Sequence, residues 1–206
     1  MSIYTLKPKF QALLRPLVVC LHRAGVTANQ VTLTACLLSM LVGVVLSLPN
    51  ISRVWFLSIP VWMFVRMAMN AIDGMLAREF GQQSFLGAYL NELGDVIADT
   101  LLFLPFAFVS PFTPGWIALI SLLAILSEFS GVLGAMVGAS RRYDGPLGKS
   151  DRAFVFGALG LAIALLPELP AWLWWLMPVL AVAIAITIMN RIRAGLHQLT
   201  QENKSN

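Results

Sequence analysis

The chain has 206 residues, of which 58% are apolar and only 12% charged. Soluble globular domains are about half apolar and a quarter charged, so this composition excludes such a domain and indicates a protein embedded in lipid. The formal net charge of +4 is small, and we predict no nucleic-acid partner. The length allows one domain of about five to seven spans. We therefore predict a single all-α membrane domain over residues 1–206.

The first predicted element is an amphipathic helix over residues 6–23, lying on the membrane surface. Its apolar positions recur at helical spacing: Phe10, Leu13, Leu14, Leu17, Val18 and Leu21. The other face carries Lys7, Gln11, Arg15 and His22. Such a helix suits acyl chains on one side and anionic headgroups on the other. A helix packed against protein instead remains an alternative.

Six apolar spans follow, within a bundle predicted for residues 30–190. Their approximate limits are 30–48, 54–78, 87–109, 115–139, 153–166 and 171–190. Thr27 stands where an N-cap is expected for the first span. Turns fall at Pro49, near Pro111 and between Pro167 and Pro170. Residues 191–206 are predicted to form a cytoplasmic tail.

The basic residues predict the orientation of the bundle. All Lys and Arg residues except Arg53 and Arg66 lie before the first span, after the last, or in the loops after the second and fourth spans. The positive-inside rule makes that side cytoplasmic, so both termini should face the cytoplasm of a cell with the protein in its inner membrane.

Polar side chains at the ends of two spans form the candidate site. Asn70 and Asp73 share one face near the end of the second span. Asn91, Asp95 and Asp99 share a face on the early turns of the third. Adjacent antiparallel helices would bring both faces together near the cytoplasmic surface.

Carboxylate and amide oxygens converging in this way suit a hard divalent cation, Mg²⁺ or Mn²⁺. Such a cation can clamp a diphosphate, while a carboxylate outside its ligands takes a proton from an attacking hydroxyl. The polar groups could equally pair the two spans or line an ion pathway. Spacing alone leaves both alternatives open.

At these residues the sequence resembles the CDP-alcohol phosphotransferase family, whose signature is D-x2-D-G-x2-A-R-x8-G-x3-D-x3-D. Every gap in the signature matches between residues 70 and 95. Its fixed identities are met at Asp73, Gly74, Ala77, Arg78, Gly87 and Asp95. The segment Thr27-Ala28-Asn29 followed by Thr32 is similar to the family's T-P-N-x-x-T entry, with alanine for proline.

The resemblance implies a role for each matching residue. Asp95 would be the general base, and Asn70, Asp73, Asn91 and Asp95 would lie at the metal centre. The residues implied in nucleotide binding are Thr32, Asp73, Gly74, Ala77, Arg78 and Gly87. Homodimerisation is likewise implied by the family.

The first and third acidic positions of the signature hold Asn70 and Asn91. Asparagine keeps an oxygen ligand but loses its negative charge, so metal affinity should fall and a single metal becomes possible. Asp99, one turn after Asp95, either restores some charge to the metal centre or pairs with another helix.

The loop before the fifth span contains Arg141, Arg142, Lys149 and Arg152. Its cations suit a phosphate of the acceptor or the lipid donor, although ordinary positive-inside charge is the alternative. Two further charges, Arg66 and Glu128, lie inside spans. They could pair with each other, or Arg66 could orient the metal face and Glu128 line the acceptor pocket.

We thus predict a membrane enzyme that moves a phosphatidyl group from a CDP-linked lipid, CDP-diacylglycerol, to an alcohol acceptor with release of CMP. A non-catalytic relative that binds nucleotide or lipid is one alternative. A transporter of a polar solute is the other, although no inverted repeat supports it.

Overall fold

The computed structural model describes the backbone of residues 6–205 and the side chains of residues 8–202. Lys7 of the predicted surface helix and Lys204 of the predicted tail are outside the described side chains. Seven α-helices and three short 3₁₀ turns make up residues 6–205, which contain no strand. The helices are α1 (Leu6–Arg23), α2 (Ala28–Leu46), α3 (Ser58–Glu79), α4 (Phe85–Phe103), α5 (Pro114–Met136), α6 (Lys149–Leu165) and α7 (Leu176–Ser205). The all-α prediction is confirmed.

Helix starts follow from local capping chemistry. Thr27 caps α2: its hydroxyl accepts a hydrogen bond from the Gln30 backbone at 3.2 Å, and the Gln30 side chain accepts one from the Thr27 backbone at 2.9 Å. The predicted N-cap is thereby confirmed. Ser84 caps α4 by accepting from the backbone of Gly87 at 2.9 Å. The two caps place the polar first turns of α2 and α4 side by side, since the Asn29 amide also donates to Ser84 at 3.4 Å.

Four helical segments within the described chain are long and apolar enough to cross a membrane. They are Ala28–Leu46, Arg53–Glu79, Pro114–Met136 and Ala171–Glu202. The helices outside this set are the amphipathic α1; α4, with three carboxylates among 19 residues; and α6, with 17 residues and a charged first turn. Residues 191–205, predicted as a tail, continue α7 as helix instead. Charged residues there do not end the helix, because Arg, Gln and Glu are good helix formers.

Packing is centred on aromatic and aliphatic side chains shared by several helices. Phe103 stacks on Phe156 with ring centroids 3.9 Å apart, and Phe106 meets Phe156 edge-on at 5.0 Å. α2 packs against both α3 and α4, α6 packs against α3, and α5 packs against α7. α2 therefore lies beside both helices that carry the candidate site.

α1 lies against this bundle through only part of its apolar face. Val18 is fully buried in a small cluster with Ile72 and Leu76, while Leu13 and Leu17 remain exposed. Arg15 also reaches Glu79 of α3 at 2.8 Å. Both sequence-based alternatives for this helix thus have an observation in their favour: one side contacts protein, and the other leaves leucines uncovered.

Gly43 allows the close approach of α2 and α4. A Cβ at this position would lie 2.1 Å from the carbonyl oxygen of Leu101, which is backbone and cannot move aside. Gly43→Ala is therefore expected to separate the two helices and destabilise the protein by ~1–3 kcal/mol or more, read as a lower thermal midpoint in detergent. Gly115→Ala is the control, because nothing lies within 4 Å of the added Cβ. Equal midpoints for the two variants would contradict this packing.

Candidate active site

The first half of the site lies on α3, in its last three turns. Asn70 is half-buried and Asp73 is 6% exposed. Asp73 accepts a hydrogen bond from the Thr32 hydroxyl of α2 at 2.7 Å. The resemblance assigned Thr32 to the nucleotide, and its direct contact is with Asp73. Thr32 thus links the start of α2 to the acidic face of α3.

The second half lies on α4, where Asn91, Asp95 and Asp99 occupy successive turns of one face. Asp99 is buried, whereas Asn91 and Asp95 are partly accessible. Asp95 contacts Arg66 of α3 at 3.2 Å, and Arg66 lies two turns before Asp73 on that helix. The sequence predicted that the two polar faces meet; what the structure gives is α2 packed against both helices and Arg66 of α3 in contact with Asp95 and Asp99 of α4.

Arg66 joins the two halves. Its guanidinium is 5% exposed, hydrogen-bonds Asp99, and contacts both the carboxylate of Asp95 at 3.2 Å and its backbone carbonyl at 3.1 Å. The suggested pairing of Arg66 with Glu128 is therefore wrong, because the carboxylates of α4 hold this arginine. Leaving a buried charge without its partner costs about 3–5 kcal/mol, so this contact fixes α3 relative to α4.

Asp99 has two cationic neighbours, which bears on its role. Besides Arg66, the guanidinium of Arg152 lies 3.5 Å from its carboxylate. These contacts favour the inter-helix pairing alternative for Asp99 over direct metal ligation. Lys149, from the first turn of α6, instead reaches Asp95 at 2.5 Å. The sequence placed Lys149 in a phosphate pocket and did not connect it with Asp95.

Two glycines of the signature have close neighbours from the chain itself. A Cβ on Gly74 would lie 2.8 Å from the Arg78 guanidinium, so the absent side chain lets Arg78 fold back along α3. A Cβ on Gly87 would lie 2.7 Å from the Asn29 amide oxygen. Ala77 is half-buried on the same side of α3 as Asp73 and Asn70. Small residues at these positions would let a bound nucleotide approach the helix backbones closely.

A second charged cluster adjoins the first and is centred on Glu128 of α5. Its carboxylate is 7% exposed and faces Arg152 at 2.8 Å, Arg191 at 3.4 Å and Arg141 at 3.5 Å. Arg141 also pairs with Glu92 of α4. Sequence reasoning missed Arg191, since it follows the last apolar span and was assigned to the flanking positive charge. One turn before it on α7, the Thr187 hydroxyl accepts a hydrogen bond from the backbone of Leu147 at 3.0 Å, which holds the loop beside the cluster.

Arg142 has its own partner within the loop. It donates to both carboxylate oxygens of Asp144, at 2.9 and 3.0 Å. Burial alone would raise the pKa of Asp144, but these hydrogen bonds and those from the backbone hold it below its usual range. An open cleft of about 260 Å³ lies beside this pair and is lined by Arg141, Arg142, Tyr143 and Asp144.

The donors at the α3–α4 junction fit one hard divalent cation. Asp73 and Asp95 supply carboxylates, and the amides of Asn70 and Asn91 have no hydrogen-bond partner among the described side chains. All four offer oxygen, the donor that Mg²⁺ and Mn²⁺ prefer. No group of three or more His, Cys, Asp and Glu placed to hold a metal occurs within residues 8–202. With two carboxylates and two neutral amides, this set offers two formal charges fewer than four aspartates would.

Fold and site together define a helical bundle of membrane type with an oxygen-rich polar site between two helices. Residues 25–189 match the family model described as CDP-alcohol phosphatidyltransferase. The chain belongs to the CDP-alcohol phosphatidyltransferase family, as its signature predicted.

Individual relatives cover nearly all of the chain. Inner membrane protein YnbA of Escherichia coli is 45% identical over 196 residues, which are 95% of this chain and 97% of YnbA. Phosphatidylinositol phosphate synthase of Mycolicibacterium smegmatis is 30% identical over 186 residues, covering 87% of this chain and 82% of that enzyme.

Two solved structures have the same fold. Both are Mycobacterium tuberculosis phosphatidylinositol phosphate synthase. The structure with CDP-DAG bound has a TM-score of 0.69 at 22% identity and covers 89% of this chain and 91% of its own. The complex with manganese and citrate has a TM-score of 0.68 at 21% identity and covers 88% of each chain.

Proposed function

We propose that this protein transfers a phosphatidyl group from CDP-diacylglycerol to an alcohol and releases CMP. The observation that carries the proposal is the position of Asp73 and Asp95, each one turn after an unpartnered amide, Asn70 or Asn91, on helices that Arg66 connects in a member of this family. Support comes from the related fold of a phosphatidylinositol phosphate synthase solved with CDP-DAG.

The proposed setting is the inner membrane, which the name of the Escherichia coli relative supports. In this proposal α2 to α7 form six spans, with both termini and the site on the cytoplasmic side, where most basic residues fall. The exposed leucines of α1 enter the membrane surface as part of an amphipathic helix. A homodimer is proposed on the family resemblance alone.

The proposed binding roles follow the contacts. Asn70, Asp73, Asn91 and Asp95 would hold one Mg²⁺ or Mn²⁺, and Asp99 supports them through Arg66. Bound there, the cation would offset charge on the donor diphosphate. Thr32, Gly74, Ala77, Arg78 and Gly87 bind the nucleotide, with Arg78 exposed and free to meet a phosphate.

Asp95 is the proposed general base. Its carboxylate takes the proton of the acceptor hydroxyl, the hydroxyl oxygen forms a bond to the β-phosphorus, and the bond from that phosphorus to CMP breaks. Lys149 and Arg66 each place a positive charge beside the Asp95 carboxylate and hold its orientation. Arg141, Arg142, Lys149, Arg152 and Glu128 are proposed to surround the acceptor.

Purified protein tests this proposal directly. CMP release is expected only when CDP-diacylglycerol, Mg²⁺ or Mn²⁺ and a suitable alcohol are all present, and chelation should stop it. Mass spectrometry of the lipid product would identify the acceptor. Tight CDP binding without CMP release across a broad alcohol panel would contradict turnover and favour a non-catalytic binder. Solute flux into proteoliposomes without CMP release would favour a transporter.

A further inference from the structure

Glu128 occupies the centre of a ring of guanidinium groups. One of its oxygens faces Arg152 and the other faces Arg191 and Arg141, all within 3.5 Å. Arg152 and Arg191 are 1% and 2% exposed. Three guanidiniums converging on one point make an anion-binding position. In this chain a carboxylate of the protein itself fills that position.

The other cations of the loop are also paired. Arg142 holds Asp144, and Lys149 contacts Asp95. Arg141 has a second carboxylate in Glu92, and Arg152 has a second in Asp99. Each basic side chain that the sequence suggested for a phosphate therefore already has an acidic partner.

We propose that Glu128 determines acceptor specificity: its carboxylate takes the place that a phosphate would occupy, so the acceptor is an uncharged polyhydroxy alcohol. This rests on the transferase activity proposed above. The cations of the loop pair with the protein's own carboxylates and do not bind a phosphate of the acceptor. The phosphates that take part in the reaction are then those of the lipid donor's diphosphate.

The charges around Glu128 also bear on which acceptor can bind there. Ion pairs connect four carboxylates, Glu92, Asp95, Asp99 and Glu128, with five cations. A phosphorylated acceptor would add about −1.5 to −2 charges beside Glu128. A cationic amino alcohol would instead face several guanidiniums.

Uncharged hydroxyl groups would supply a hydrogen-bond acceptor that the cluster lacks. The Nε atom of Arg141, one of the residues that line the open cleft, has no hydrogen-bond partner among the described residues. Hydroxyl oxygens can accept from such N–H groups without bringing charge. The open cleft beside Arg141, of about 260 Å³, borders the cluster and gives room for a small polyol.

Matched acceptor pairs test the inference with wild-type protein. We expect CMP release with glycerol or myo-inositol to exceed release with glycerol 3-phosphate or inositol 1-phosphate by at least ~10-fold, because a phosphate beside Glu128 brings like charges together. Equal or faster release with the phosphorylated members would overturn the proposal. This comparison needs no variant and so does not depend on the folding of a mutant.

Inorganic phosphate is the second probe, and its binding is read as a shift in thermal midpoint without any turnover. Glu128→Gln is expected to bind phosphate at least ~10-fold more tightly than the wild type, because it removes the negative charge that three guanidiniums share. Glu128→Asp keeps the carboxylate and should show no such gain. Glu79→Gln, at the distant pair with Arg15, is the matched control.

The two probes separate failure of the inference from failure of the proposed function. No CMP release with any alcohol, together with the expected gain in phosphate binding, would reject the transferase and keep Glu128 as the internal anion. CMP release combined with unchanged phosphate binding in a folded Glu128→Gln protein would overturn the role of Glu128 and keep the transferase.

Discussion

Replacing Asp95 by asparagine is expected to lower CMP release by ~10²–10⁴-fold, the usual contribution of a general base. Asparagine has nearly the same shape and keeps one acceptor oxygen, so it can accept from Arg66 or from Lys149, which contact different oxygens of Asp95 at 3.2 and 2.5 Å. Arg66 keeps its contacts with Asp99 and with the backbone carbonyl of residue 95. It cannot take a proton from the acceptor hydroxyl. The loss should therefore fall on the chemical step and leave the helix arrangement intact.

Turnover of Asp95→Asn is best measured at saturating donor and metal, so that weakened metal binding does not account for the loss. CDP affinity and thermal midpoint should stay near the wild-type values. Asp151→Asn makes the same chemical change at an exposed capping residue of α6 and should keep full activity. Wild-type turnover by Asp95→Asn would eliminate Asp95 as the base.

Asp99→Asn distinguishes a base from a broken ion-pair network. Asp99 lies one turn after Asp95 and pairs with the same Arg66, but it is buried. Its loss should lower thermal stability and reduce turnover less than Asp95→Asn does. If both variants lose turnover and stability alike, the Arg66 network and not proton transfer would explain the effect of Asp95→Asn.

The sequence predicted the residues of the α3–α4 junction because helical spacing and motif spacing are both local. Thr27 capping, the turn positions and the shared face of Asn91, Asp95 and Asp99 all depend on residues within a few turns. The family match over residues 25–189 confirms what the 26-residue signature indicated. Local patterns were sufficient for the fold class and for the family.

Ion-pair partners were harder to predict, since they join residues far apart in the chain. Arg66 and Asp99 are 33 positions apart, and Arg191 contacts Ser127 and Glu128 from 64 and 63 positions away. The hydropathy pattern predicts the depth of each of these charges in the membrane. It does not predict how each helix is rotated about its own axis. The choice of Asp99 over Glu128 as the partner of Arg66 depends on that rotation.

The limits of α7 also escaped prediction, for a different reason. The hydropathy pattern ends at about residue 190, and the helix continues to Ser205. Apolar periodicity indicates a helix face that contacts lipid or the protein core. A solvated helix has no such face, so its sequence does not show this periodicity. Arg191 lies in this continuation, so the same missed extension concealed a residue of the Glu128 cluster.

Restoring aspartate at both signature positions should strengthen metal binding. In Asn70→Asp/Asn91→Asp each new carboxylate adds a full negative charge where the wild type offers an amide oxygen. Two unit charges about 4 Å apart interact by about 4 kcal/mol at an effective dielectric constant of 20. Even a part of this energy raises Mn²⁺ affinity by at least ~10-fold. The stoichiometry should also rise from one Mn²⁺ per chain to two.

Mn²⁺ binding followed by electron paramagnetic resonance measures affinity and stoichiometry without turnover. In the presence of chelator the double variant should also have a lower thermal midpoint than the wild type, because its new carboxylates face Asp73 and Asp95 without a counter-charge. Adding Mn²⁺ should reverse this difference. That reversal separates metal ligation from simple loss of stability.

Asn50→Asp is the matched control for this variant. Asn50 follows the far end of α2, about 28 Å along the helix from the caps beside the site, so its charge should not change Mn²⁺ binding. Unchanged affinity and a single Mn²⁺ in Asn70→Asp/Asn91→Asp would show that these two side chains do not face the metal. The alternative assignment, in which Asp73 and Asp95 bind the cation with water and substrate oxygens alone, would then replace the four-residue site.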